Sequence, residues 1–355
     1  MKKKLFRVIE IISFICLLLF AINKISIAKI SYCYESNPAR STRLFFELPK
    51  NTVDVVFTGD SHMFCGIIPQ MFFDEEGISS SSIATPTQFI KNTYWLLKEA
   101  YKKQDIKLVV LESHSIEHSL RETDDLSQFT SGIIMLPDYS INKYRNFHDV
   151  KNTDFSLCSE ITIDDVIPLL QFNSDYGRDD SSLKKIIDFT INPAKYYKTF
   201  GYYPQTSINK VDGLYEGNEY DDYKGIKGTY VYEYLNKIYE LCKENNTELL
   251  LVRMPYNSTN TNLNVINGIF EWANEKNVEV LDYFQDFDGT NIDLNTDFRD
   301  NTHLNYLGAR KATRYLIDYF KDHYQLDNHK GDSRYSLWEN NDFDYEEVLN
   351  KMRGN

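Results

Sequence analysis

The chain has 355 residues, 42% of them hydrophobic, with 52 acidic against 39 basic side chains and a formal net charge of -13. That is enough apolar material for one large core, and no internal repeat or low-complexity linker divides it. The acidic balance excludes nucleic acid as a partner, and it excludes docking on anionic lipid or polyanionic polymer by bulk charge.

The N-terminus opens with Met1-Lys2-Lys3-Lys4, followed by an apolar run from Leu5 to Ile22 with Arg7 and Glu10 near its start. Its uncharged core, 11–22, is short for a bilayer span, which takes about 20 residues. Counting 5–28, with Lys24 able to snorkel, gives a tilted span. Ser26-Ile27-Ala28 is a small-x-small signature, so the reading is an uncleaved anchor with a cleaved signal peptide as the alternative. The leading lysines place the N-terminus in the cytoplasm and the rest of the chain outside. The expected organisation is a membrane segment over 1–29, a stem over 30–50, one domain over 51–325 and a polar, acidic tail over 326–355. Of the five cysteines, Cys16 lies in the membrane segment; Cys33, Cys65, Cys158 and Cys242 lie beyond it. No Cys-x-x-Cys spacing occurs, so neither a redox motif nor disulfides are expected.

The domain begins with Val53-Asp54-Val55-Val56-Phe57-Thr58, a β-branched apolar run that stops at Gly59 and delivers Asp60-Ser61-His62. This reads as a buried strand entering a tight turn. A serine there sits outside the carboxyl end of a strand, where open α/β sheets place their chemistry. Further along, 69–76 is a short helix with proline in its first turn, 80–84 a weak strand, and 88–103 a helix. The run 106–112 is a strand of the continuously apolar kind that parallel sheets bury. It ends at Glu112, with His114 and His118 following. No matching cysteine or histidine cluster occurs elsewhere, so these read as polar residues lining a cleft mouth, and no metal or other cofactor is expected.

Residues 119–226 break the rhythm. They read as a helical insertion packed over the cleft, a lid or substrate-selecting cap. Its exit, Tyr196-Tyr197-Lys198-Thr199-Phe200-Gly201-Tyr202-Tyr203-Pro204, offers rings that either stack on sugar faces or form the lid's own small core. Helices over 229–244 and 263–276 alternate with strands over 248–254 and 278–282, and a helix over 305–320 closes the domain. Alternation of this kind predicts an α/β fold, a doubly wound, flavodoxin-like parallel sheet of about five strands. The tail ends in a short helix over 344–352.

Just before the closing helix the chain reads Asp297-Phe298-Arg299-Asp300-Asn301-Thr302-His303-Leu304-Asn305-Tyr306-Leu307-Gly308. A nucleophilic serine needs an imidazole to take its proton and a carboxylate to orient that imidazole. Ser61, His303 and Asp300 supply the three roles. The other reading is a loop carboxylate capping a helix beside an unrelated surface histidine.

Gly59-Asp60-Ser61 near the start of the domain, with Asp300-x-x-His303 and Leu304-Asn305-x-x-Gly308 near its end, resembles the SGNH/GDSL hydrolase superfamily. With the N-terminal membrane segment, the chain looks most like the extracytoplasmic, membrane-anchored branch that includes proteins of teichoic acid D-alanylation and polysaccharide O-acetylation. The resemblance spans roughly 50–325, with firm motifs at its two ends. It implies a serine acyl esterase or O-acyltransferase acting on acyl esters of a cell-surface glycan or teichoic-acid-like polymer, with Ser61, Asp300 and His303 as the triad. It also implies an integral membrane acyltransferase as a partner. The superfamily's glycine after the second strand and asparagine after the third are missing here, where Ala84-Thr85 and Glu112-Ser113 stand. The Ser61 N–H carries over as an oxyanion donor, and Thr85 is the positional candidate for a second. The competing reading is a non-catalytic SGNH scaffold that binds glycan or assists a membrane acyltransferase. A nucleotide-binding flavodoxin-like domain is disfavoured, because the first turn has no Gly-x-Gly-x-x-Gly.

Overall fold

The computed structural model describes residues 2–33, 39–167, 198–222 and 224–354, with Lys184 alone between. Five strands, β1 (Val55–Thr58), β2 (Ser80–Ser82), β3 (Leu108–Glu112), β4 (Glu248–Arg253) and β5 (Glu279–Asp282), form one parallel sheet in the order β2-β1-β3-β4-β5. The sequence expectation of a five-stranded parallel α/β sheet is met. Strand ends shift by up to two residues, β1 starting at Val55 rather than Val53.

The apolar runs of β1, β3 and β4 face two cores. Val56, Val109, Leu111, Leu249 and Leu251 pack with helices Ile90–Ala100, Tyr230–Glu244 and Leu263–Lys276. Val55, Phe57, Val110, Leu250 and Val252 pack with helices Pro69–Glu76 and Tyr306–His323. Period-2 side-chain alternation on strands buried from both sides produces this division. The helices start where short polar caps stand: Thr229, Asn262 and Asn305 each accept from a backbone N–H in the first turn that follows.

Strand β2 is three serines, all buried. They are tolerable inside because their polar groups are met: Phe200 O accepts from Ser82 N at 2.8 Å and from Ser81 Oγ at 3.2 Å, and Ser80 O accepts from Trp338 Nε1 at 3.1 Å. The tail is therefore part of the fold. Trp338 is buried and stacks on Phe200 at 4.6 Å, and the chain ends in helix Tyr345–Gly354, which buries Val348 and Met352. The expected stem also differs, since Leu44, Phe45, Phe46 and Leu48 belong to the first core.

Among the described residues, one helix is long and apolar enough to cross a membrane, over Lys3–Ser26 within Lys2–Cys33. Its apolar side chains from Leu5 to Phe20 are exposed. Lys24 Nζ meets Glu47 at 3.2 Å, tying the helix end to the domain.

Of the 119–226 insertion, helices Ser127–Met135 and Ile141–Lys151 lie against helix Ile90–Ala100. Phe89, Phe129, Ile133, Phe147 and Val150 make a small core there. The exit of the insertion does reach the carboxyl edge. Tyr203 N donates to Phe64 O at 2.8 Å, Asn209 N to Phe298 O at 2.9 Å, and Tyr306 N to Gln205 O at 2.8 Å. Tyr196 and Tyr197 lie outside the described residues. Phe200 and Tyr202 are buried against Trp338 and Phe343, one in each of the domain's two cores, and these two rings present no face to a sugar.

Gly59 is a position where backbone freedom is required. Its φ is +143°, and a Cβ there would stand 2.7 Å from the Glu112 Cβ. Gly59→Ala is expected to cost about 2–4 kcal/mol, from the strained backbone together with overpacking against β3. The denaturant midpoint of the purified full chain measures it. A loss below about 0.5 kcal/mol, the level of an ordinary surface substitution, would show that the two strand ends are not locked together.

Candidate functional site

Asp60 ends the β1 turn and caps helix Ser61–Gly66, its Oδ1 accepting from His62 N at 3.0 Å. This places Ser61 at the first position of that helix, at the carboxyl edge of the sheet and partly exposed. Gln88 Nε2 donates to Thr58 Oγ1 at 2.9 Å, fixing the last residue of β1 beneath the turn.

Across the edge, residues 296–305 form a loop held from within. Asn305 accepts from Leu307 N and Gly308 N, and its Nδ2 reaches the carbonyls of Thr296, Phe298 and Ser207 at 2.7, 3.1 and 3.1 Å. Arg299 N donates to His303 O at 2.9 Å, and Asn257 N donates to Asn301 O at 2.7 Å. The Leu304-Asn305-x-x-Gly308 segment is thus a loop anchor. Gly308 has the Asp297 carbonyl 2.3 Å from where a Cβ would stand.

The loop presents His303 to Ser61, with Nε2 at 2.8 Å from Oγ. The other ring nitrogen, Nδ1, lies 2.9 and 3.0 Å from the two Asp300 carboxylate oxygens. Asp300 Oδ1 also accepts from Thr302 N at 2.8 Å, Thr302 Oγ1 at 3.0 Å and His303 N at 2.9 Å. Burial would raise the Asp300 carboxyl, but the hydrogen bonds from His303 and Thr302 outweigh it and hold the group well below the usual carboxylate range. Two carboxylates that precede Asp300 in the chain are committed elsewhere. Asp297 accepts from Lys311 Nζ at 2.6 Å and Asp293 N at 2.8 Å, and Asp282 Oδ2 faces the Arg253 guanidinium at 3.7 Å. Ser61, His303 and Asp300 therefore stand in the nucleophile, base and orienting positions of a hydrogen-bonded triad.

Thr85 is placed differently from its expected role as an oxyanion donor. Its N–H donates to Gly59 O at 3.3 Å and its hydroxyl to Gln88 Oε1 at 3.0 Å. Both donors are spent holding the turn. The Ser61 N–H, at the first position of its helix, takes no part in the Asp60 cap.

Behind Ser61 the structure assembles a group of side chains from two segments about fifty residues apart, which sequence spacing does not bring together. Glu112 and His114 end β3 and open helix Ser113–His118; Asp60 and His62 flank Ser61. The ligating atoms of these four residues lie within 4.8 Å of one another. Asp60 Oδ2 meets His114 Nδ1 at 2.9 Å, and Glu112 Oε1 stands 3.9 Å from His62 Nδ1, too far for a hydrogen bond. The His62 ring lies 4.2 Å from that of His114 and stacks on buried Tyr256 at 5.2 Å. Burial, then the neighbouring Asp60, pushes the Glu112 carboxyl up. Burial and the adjacent His62 push His114 down to about 3. His118 stands outside the group.

The fold and site together define an α/β protein with a serine–histidine–aspartate arrangement at the carboxyl edge of a five-stranded parallel sheet. Compared with models of known protein families and with curated proteins, the chain matches none.

Proposed function

We propose that this protein is an SGNH-type serine acyl esterase or O-acyltransferase, anchored by its N-terminal helix with the domain outside the cytoplasmic membrane. The observation that carries the reading is the Ser61 Oγ–His303 Nε2 contact at 2.8 Å, with Asp300 on the opposite ring nitrogen. Ser61 attacks the carbonyl of an acyl ester, His303 takes the hydroxyl proton and returns it to the departing alcohol, and Asp300 holds the tautomer with the proton on Nδ1. Water or an acceptor hydroxyl then releases the acyl group from Ser61 by the same steps in reverse. The motif order, the sheet order and the membrane-length helix support an acylated surface glycan or teichoic-acid-like polymer as the substrate, with an integral membrane acyltransferase as partner.

The engagement of both Thr85 donors favours a second reading, a non-catalytic scaffold that binds glycan or assists a membrane acyltransferase. A fluorophosphonate probe separates the two. The full chain in detergent is expected to be labelled at Ser61, located by peptide mapping, with Ser61→Ala unlabelled. A folded wild-type chain that takes no label leaves the scaffold.

A further inference from the structure

We propose that Asp60, His62, Glu112 and His114 form a binding site for a divalent transition-metal ion, zinc by its ligand chemistry, directly behind the Ser61 turn. The two pairs share a pattern, Asp60-Ser61-His62 just past β1 and Glu112-Ser113-His114 starting at the last residue of β3. These strands are parallel neighbours with Thr58 beside Leu111, so the two acid-Ser-His segments leave the sheet side by side. Neither pair is a metal motif alone; the strand pairing makes them one group.

Each carboxylate is held by one oxygen and offers the other. Asp60 Oδ1 accepts from His62 N at 3.0 Å, and Glu112 Oε2 accepts from Ser115 N at 2.9 Å. That leaves Asp60 Oδ2 and Glu112 Oε1 for the cluster. Backbone donors that fix the non-ligating oxygen in this way are how metal sites orient their carboxylates. Two further atoms argue for an occupant. Glu112 Oε1 and His62 Nδ1 are both buried without a hydrogen-bond partner, on side chains that are 0% and 3% exposed. A buried carboxylate oxygen left in this state is costly, and a second buried carboxylate beside it adds to the cost.

A divalent cation answers both problems at once. Two carboxylates and two neutral imidazoles match its charge, and two ligands at about 2.0–2.1 Å from one ion lie roughly 3–4 Å apart. The 2.9 Å Asp60–His114 and 3.9 Å His62–Glu112 separations lie close to that range. Mixed imidazole and carboxylate oxygen donors suit zinc, with manganese, iron, cobalt and nickel as competitors. Four protein ligands close the shell, as in a site that holds structure. The ion would pin the ends of β1 and β3 together around Gly59 and place a positive charge against both chain neighbours of Ser61. The site stands on its own geometry and does not depend on the esterase reading.

The test is metal content. The full chain, purified in detergent, is stripped with a chelator, reloaded with zinc, passed through a desalting column and assayed by elemental analysis for zinc, manganese, iron, cobalt and nickel. About one equivalent of zinc per chain is expected, with a higher melting midpoint than the stripped protein and a four-coordinate visible spectrum after cobalt(II) substitution. Glu112→Gln and His62→Gln are each expected to weaken zinc binding by at least 10-fold to 100-fold in competition with a chromophoric chelator. Asp300→Asn, outside the cluster, should keep full stoichiometry. Less than about 0.2 equivalents of every metal on the folded wild-type chain overturns the proposal, as does unchanged zinc affinity in folded Glu112→Gln. If neither cluster variant folds, the wild-type stoichiometry and cobalt spectrum decide. Failure to take up metal in a chain that still labels with a fluorophosphonate would sink this site while leaving the triad standing.

Discussion

Asp300→Asn is expected to lower kcat on p-nitrophenyl acetate on the order of 1,000-fold to 10,000-fold, close to the loss from His303→Ala. The Asp300 carboxylate accepts from His303 Nδ1 with both oxygens in reach, which fixes the proton on that nitrogen and leaves Nε2 free to accept from Ser61. An amide can turn its NH2 toward Nδ1. The imidazole then carries its proton on Nε2 and no longer accepts from the serine. The fold should survive, because Thr302 N, Thr302 Oγ1 and His303 N can still donate to the amide oxygen. The pH dependence follows from the depressed Asp300 carboxyl. As pH falls from neutral, the carboxylate stays ionised past about 3.9, the ordinary value for aspartate, so its own protonation does not set the acid limb of kcat/KM. The stabilisation from this carboxylate is present above its unfolded value and lost as pH drops through the lower folded one. Near-normal turnover in Asp300→Asn would remove the orienting role. Asp297 could not then take it over without leaving Lys311.

Much of the domain was legible because its determinants are local. Short, largely apolar runs at Val55–Thr58, Leu108–Glu112 and Glu248–Arg253 fit strands buried on two faces, and helices Tyr230–Glu244 and Leu263–Lys276 carry their own caps. The Ser61, Asp300 and His303 set was legible for another reason: it falls in two short segments at opposite ends of the domain, each beside a turn. What stayed hidden depends on pairing between distant segments. Trp338 lies in a polar, acidic tail, and nothing in its neighbours announces that it will cover the serines of β2. Leu44, Phe45 and Phe46 follow a membrane-length helix and read as stem, although their side chains reach the core. Thr85 is a candidate donor only by its position after a strand. Position says nothing about donors, and both of its donors are engaged by Gly59 and Gln88. The approach of Asp60 and His62 to Glu112 and His114 was invisible for the same kind of reason. It rests on β1 lying beside β3 and on a glycine whose missing Cβ lets the Glu112 Cβ come close.

Ser61→Ala is expected to reduce the purified chain's turnover on p-nitrophenyl acetate to background and, in cells, to lower the ester content of the surface polymer. The two readouts together separate hydrolysis from transfer. A hydrolase stabilises its tetrahedral intermediate unaided in water, so it needs donors standing ready beside the serine, and loss of one costs a factor of about 100 to 1,000. Here the Ser61 N–H remains, while the Thr85 donors are committed, and Ala84-Thr85 and Glu112-Ser113 stand where the resemblance leads one to expect glycine and asparagine. A transferase can instead acquire donors, or a dry site, when acceptor polymer or a membrane partner closes over the edge of the sheet. The segment that would be engaged, 198–218, already touches the chain on both sides of the triad, through Phe64 O after Ser61 and Phe298 O before Asp300. Weak turnover of the isolated chain is therefore expected alongside a clear loss of polymer ester in Ser61→Ala cells. Brisk turnover with raised polymer ester in the variant would make the protein a deacylase. Unchanged ester content with no turnover in the parent would leave Ser61 without a chemical role, whatever its distance from His303.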